Sequence, residues 1–322
     1  MSVRRFLDAV SGNEKKWGIL HMKTKTITRN RIKDPRQDIV LRVICYIAVL
    51  LAVVATLFPF LNVVSKAFSS ESAVIAGRVT FLPVEFQVGT LGSIMKSPVF
   101  QNSFKVSVII TILGTILSLL ITVVTAYPLS KKHLPFIKPI LVFFVFTMLF
   151  SGGMIPTYLL VRNLGLINNI FALILPIMLS VYNMLIVKNY YEGLPESLEE
   201  AAKIDGASNP TILLRIILPL STPVIATIGM FYLVMYWNDY FNAMIYITDP
   251  DLKPLQLYLR EMILESSQMA NSLQMNVDDE MNASPEGVRS AAVVAVTVPI
   301  LIVYPFVQKY FVKGITMGSV KG

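Results

Sequence analysis

Two stretches concentrate the polar side chains of an otherwise apolar chain. "PESLEEAAKIDGASNPTILLRIILPLSTP" (195–223) opens with the acids Glu196, Glu199, Glu200 and Asp205 and then turns hydrophobic. "YLVMYWNDYFN" (232–242) sets aromatics beside amides and one acid. The second composition suits a sugar. Aromatic faces pack on C–H surfaces, and planar amides or carboxylates bond hydroxyls within a mostly apolar pocket. Its candidates are Tyr236, Trp237, Asn238, Tyr240 and Asn242, with Tyr158 and Asn163 as further ones. An aromatic belt at the membrane interface explains Trp and Tyr equally well. Successive residues point around a helix, so one stretch can serve both roles. Arg162, Arg260 and Arg289 would suit a uronate-bearing glycan, but they are scattered in sequence and an acidic segment opposes them.

Bond-making chemistry is missing. No G-x-x-x-x-G-K-[ST] cradle for phosphates exists, so ATP hydrolysis would belong to another chain and an enzyme is not expected. His21 and His133 stand in polar segments with no metal or nucleophile constellation. The single cysteine, Cys45, lies in a hydrophobic run and reads as a buried apolar thiol. Ion-coupled transport needs ionisable groups inside spans, where they are costly and functional. Asp239 is the one such acid, near an outer end. A stand-alone secondary sugar transporter therefore remains an alternative. So does a membrane sensor or scaffold that uses 195–223 to recruit a partner.

The elements that must position these residues are membrane helices. The chain has 322 residues, 54% hydrophobic and 15% charged, well under the roughly 25% charge of soluble domains. A spanning helix needs about 20 mostly apolar residues. Six stretches qualify: 39–64, 105–129, 136–161, 168–189, 219–247 and 290–312. Their number and polarity predict an all-α integral membrane protein with both termini on one side. That side holds 20 of the 28 Lys and Arg, eleven of them within residues 1–42. The positive-inside rule makes it the cytoplasm. Residues 1–38 read as a basic cytoplasmic tail, either solvated or lying against anionic lipid, and not as a cleavable signal. Residues 39–322 form the membrane domain. Outside it are a mixed loop (65–104) and a long acidic one (248–289), where Leu255, Leu259 and Ile263 predict a short amphipathic helix.

Residues 195–218 predict two short cytoplasmic helices at an angle. Pro195 suits a first helical position, and the acids favour a helix amino end. Gly206 is a natural stop. Asn209-Pro210 reads as a cap and a second start, and Pro219 as its end. The alanines Ala201, Ala202 and Ala207 beside Gly206 would let another protein's backbone approach. An ordinary interfacial connector explains the same spacing.

Glu200-Ala201-Ala202, three residues, Gly206, nine residues, Ile216, one residue and Leu218-Pro219 resemble the EAA signature of ABC importer permeases. "GGMIPTYLLVRNLGLINN" (152–169), "YWNDYFNAMIYI" (236–247) and "FVKGITMGSVKG" (311–322) are similar to its carbohydrate branch. Within that branch the maltose-type second permease and the Gram-positive polysaccharide-type permeases are most similar. The long basic tail and the long acidic loop depart from the pattern. The resemblance implies a type I importer permease fold of six transmembrane helices in the bacterial cytoplasmic membrane. It implies that Glu200, Ala201, Ala202, Asp205, Gly206 and Ala207 form a coupling helix docked on an ATPase. The implied partners are a second homologous permease, two ABC ATPase subunits, an extracytoplasmic solute-binding protein and an oligosaccharide. ATP and magnesium would be bound by the ATPases, with no cofactor in this chain and no nucleic-acid partner.

Overall fold

The computed structural model describes residues 36–273 and 284–319. The expected basic tail lies almost wholly outside the described residues, as does the acidic centre of the 248–289 loop. Among the described residues every regular element is helical. The chain divides into two units, one ending at Ala55 and one beginning at Thr56. In the first, helix α1 (Arg36–Ala67) begins, and every residue from Val40 to Ala55 is exposed. Cys45 is among them, so the buried thiol is corrected to one on an apolar outer surface.

In the second unit α1 ends at Ala67. After it come α2 (Glu71–Ile75), α3 (Gly89–Lys96), α4 (Pro98–Leu129), α5 (Ile137–Leu149), α6 (Met154–Asn163), α7 (Phe171–Ile174) and α8 (Val181–Glu192). Next are α9 (Glu196–Ile204), α10 (Asn209–Ile212), α11 (Leu218–Leu220), α12 (Thr222–Trp237), α13 (Phe241–Tyr246), α14 (Leu255–Leu273) and α15 (Pro285–Ser319).

Three stretches can cross a membrane as single helices: Val40–Ala67, Pro98–Leu129 and Pro285–Ile302. Three bent helix pairs also qualify by length and composition, which gives up to six spans among the described residues if each pair is one span. Helices α5 and α6 meet at 108°, the Phe171–Ile177 and Val181–Glu192 pair at 53°, and Asn209–Leu220 and Thr222–Trp237 at 85°. The runs at 136–161 and 168–189 are thus broken within their length, and the 219–247 run is bent away from the short helix that precedes it. One of the breaks shows a local cause. Ser180 restarts α8 by accepting the Asn183 N–H at 3.3 Å. Pro219 does not end its helix as expected. The turn before it widens into a π turn at Leu213–Ile217 and the helix runs on to Leu220. Proline lacks an N–H and crowds the carbonyl four residues back, and the wider turn takes up that misfit.

The core of the bundle is the α4–α12 pair. Tyr236 of α12 packs its ring on Gly114 of α4, where a Cβ would meet the ring at 2.8 Å. The Tyr236 hydroxyl lies 2.8 Å from Ser118 Oγ, and one turn away the Tyr232 hydroxyl lies 2.8 Å from Thr122 Oγ1. The Ser180 N–H donates to Tyr232 at 3.1 Å, which ties in α8. Interhelical bonds of this kind contribute about 0.6 kcal/mol each in membranes. Here they also fix the register of α4 against α12.

Polar contacts gather at the two ends of this bundle. At one end Asn102 donates to the Asp251 carbonyl at 2.7 Å, and Ser107 accepts the Leu255 N–H at 2.7 Å. Lys66 pairs with Glu286 there at 2.6 Å. At the other end Lys131 pairs with Glu199, and Tyr190 donates to the Leu220 carbonyl at 3.1 Å.

Candidate functional site

The acidic stretch folds into α9. Pro195 stands in the capping position and Glu196 starts the helix, one residue later than expected. Glu196 and Glu199 load its first turn, where negative charge complements the exposed N–H groups. Gly206 stops it at φ +80°, a conformation that a side chain strains. The Gly206 N–H donates to Lys203 O at 3.0 Å, and the Ala207 N–H to Ala202 O at 2.9 Å. This bond pair is a Schellman stop, and it consumes two carbonyls left over at the helix end. The next helix starts at Asn209, so the cap falls on Ser208 rather than Asn209.

The small face divides. Ala202 is buried in the chain's own core and Ala207 is half-buried. Glu200, Ala201, Asp205 and Gly206 are exposed. Beside them stand Leu198 and Ile204, three residues to either side of Ala201 and so on one face. Ile204 is 86% exposed. Sequence reasoning passed it over, although an aliphatic residue closing a polar helix was a visible signal. Across a cleft of about 290 Å³, α9 faces the basic 130s loop with Lys132 and His133. Lys131 bridges that cleft, its amine 4.7 Å from the centre of the Tyr127 ring while it pairs with Glu199.

The aromatic–amide stretch straddles a break between α12 and α13. Tyr236 is buried in the α4–α12 core. Trp237 is 7% exposed and packs edge-on against Phe104, ring centres 6.1 Å apart. Both rings are largely covered by the chain's own packing, and the Trp237 indole N–H has no hydrogen-bond partner among the described residues. Asn238 ends α12 with its amide donating to the Val234 carbonyl at 2.9 Å, and it is exposed. Asp239 accepts the Asn242 N–H at 3.2 Å and its amide at 2.9 Å. That acid organises a turn. Tyr240 is exposed, with the Arg260 guanidinium 4.8 Å from its ring centre. Asn163 is exposed at the end of α6. Tyr158 stacks on Tyr246, centres 6.2 Å apart and planes within 5°.

Asn168, missed from the sequence, locks this region. It sits at φ +58°. Its side-chain oxygen accepts the Thr248 N–H at 2.7 Å, the Thr248 hydroxyl at 3.0 Å and the Asp249 N–H at 3.0 Å. Its own N–H donates to Tyr246 O at 3.0 Å. Asn and Asp tolerate the left-handed conformation and bond nearby backbone, which was the available hint. The partners lie 80 and 81 residues away, so the role was not readable.

A family profile described as "Binding-protein-dependent transport system inner membrane component" matches residues 89–317, which include both sites. The chain belongs to this family. As such a component it works in a membrane transport system that depends on a binding protein. Two relatives come from Bacillus subtilis strain 168. "Protein LplC" is 44% identical over 83% of this chain and 90% of its own length. "Polygalacturonan/rhamnogalacturonan transport system permease protein YtcP" is 41% identical over 82% and 92%. A crystal structure of a bacterial ABC transporter involved in the import of the acidic polysaccharide alginate contains a chain 33% identical to this one. The match covers 86% of this chain and 98% of that one, with a TM-score of 0.78. The fold is that of a type I importer permease, and the protein is an ABC importer permease component. The stand-alone secondary transporter and the sensor are set aside by this membership.

Proposed function

We propose that this permease forms half of the pathway of an importer for oligosaccharides, and that α9 couples it to an ATPase. Exposure on α9 carries the reading: Leu198, Ala201, Ile204 and Asp205 lie open on its surface. An 86% exposed isoleucine on a short, capped helix is costly in water and useful as an anchor in a partner's groove. The lysine-rich 130s loop at the same end of the bundle supports a cytoplasmic placement, with both termini on that side of the bacterial cytoplasmic membrane. The tail at 1–38, the coupling segment at about 195–218 and the outer loop at 248–289 keep their expected places in this scheme.

A second, related permease completes the pathway. Two ABC ATPase subunits bind ATP and magnesium and perform hydrolysis, for which this chain has no phosphate cradle. A solute-binding protein delivers the sugar outside. Closure of the ATPases carries the docked helices with it and shifts the cavity from inward-facing to outward-facing. The polygalacturonan and alginate systems named for the relatives support a glycan cargo. Among the candidates, Asn238, Tyr240 and Asn242 lie on the helix break, while Tyr158 and Asn163 stand on α6. Tyr236 and Trp237 support that break from within.

The test is Ile204→Asp, a surface change that leaves the fold alone. Burying an isoleucine contributes about 1.5–3 kcal/mol, so ATPase affinity should fall by about one to two decades. Gly206→Pro should uncouple transport in the same way, since proline cannot adopt φ +80°. Normal membrane levels with full ATPase binding and sugar-stimulated hydrolysis in both variants would sink the docking role.

A further inference from the structure

Arg260 reads the carboxylate of an acidic sugar, we propose, from a seat prepared on Tyr240. This deepens the glycan-import reading, on which it rests, by naming the substrate class. Of the three arginines noted in the sequence, Arg260 is the one brought to the helix break. Helix α14 projects it over the exposed Tyr240 ring, its guanidinium carbon 4.8 Å from the ring centre. One turn earlier on the same face, Gln256 places its amide nitrogen 3.5 Å from Asn238 Oδ1. Two amides, a phenol ring and a guanidinium thus converge where α12 breaks. Arg162 and Arg289 belong to other helices, α6 and α15.

The charge balance is the decisive feature. Arg260 is exposed and pairs with no acid among the described residues. The acids beside it in sequence or on the break are already engaged. Both oxygens of Glu261 accept from Lys253, at 2.8 and 2.9 Å, and Asp239 is held by Asn242. Glu265, further along α14, is exposed. The guanidinium is therefore positioned on an aromatic face with no acid paired to it among the described residues. A planar fork of N–H donors matches a carboxylate in a way that a lysine does not. The neighbouring amides Asn238 and Gln256 suit the ring hydroxyls of the same sugar.

The experiment uses the assembled importer with its partner permease and ATPases, purified in detergent. Its affinity for trigalacturonate is compared with that for the trimethyl ester, which keeps the rings and removes the charge. Wild type should prefer the acid by about tenfold or more, as charge-assisted hydrogen bonds predict. Arg260→Gln should bind both alike, and Arg260→Lys should retain part of the preference. Unaltered preference in Arg260→Gln overturns the assignment. So does equal binding, or no binding, of the two sugars by wild type. Equal binding is the result expected if Arg260 instead pairs within this chain. ATP-driven uptake of the ester by wild type reconstituted into vesicles with its binding protein, measured in parallel, separates these failures from failure of the glycan reading itself.

Discussion

Asn168 shows how much a single side chain can organise in a membrane permease. One oxygen gathers three donors from Thr248 and Asp249, and the residue holds φ +58°. Alanine there loses the acceptor and strains the backbone, which costs about 1–2 kcal/mol for the left-handed conformation alone. Glycine loses the acceptor and keeps the conformation. Aspartate keeps both. The thermal midpoint of the purified complex should fall most for Asn168→Ala, less for Asn168→Gly and least for Asn168→Asp. The total for alanine should be about 2–4 kcal/mol when lost hydrogen bonds are included. An Ala variant as stable as wild type would show that Tyr158–Tyr246 stacking holds the region unaided. The same scale explains why the packing of Trp237 was hidden. Its neighbours in sequence are polar, but the ring turns inward onto Phe104, and a linear string does not reveal which way a helix faces at its last turn.

At the scale of elements, Lys131 links α9 to α4 through Glu199, and α4 is keyed to α12 by its two tyrosine hydroxyls. If α9 docks as proposed, its motion has a physical route to the helix break at Asn238. The pair is mostly shielded, with 17% and 13% of the two side chains exposed. Lys131→Met should lower sugar uptake per ATP hydrolysed about fivefold, equivalent to about 1 kcal/mol of pairing. The exchange Lys131→Glu with Glu199→Lys should restore most of it. If uptake and hydrolysis fall in proportion in the single variant, the pair serves folding and not transmission. Local chemistry made α9 readable: acids at its start, alanines within and Gly206 at its end. Hydropathy also placed an apolar run on each of the three single-helix and three bent-pair candidates. It did not reveal the bends, because a window of apolar residues looks the same whether straight or bent by 108°. The Lys131–Glu199 pair was equally hidden, since 68 residues separate its members.

For the whole molecule, the roles proposed for both sites depend on orientation. A cysteine replacing exposed Leu82, in a Cys45→Ala background, should react with an impermeant maleimide on intact cells or spheroplasts. One replacing exposed Lys132 should react after permeabilisation only. The reverse pattern would put α9 outside and dissolve its link to an ATPase. The candidate spans also differ in what each can do alone. Helix α6 has ten residues, a rise of about 15 Å and half a bilayer core. It can neither cross nor settle without α5. The stretch Val40–Ala67 has 28 residues with a mean hydropathy of 2.6, and none of its most apolar window is covered by the rest of the chain. Such a segment is stable in lipid without neighbours. During synthesis it can therefore leave the translocon while the remainder is still on the ribosome. The nascent chain is then tethered to the bilayer before its broken helices, which need one another, have been made.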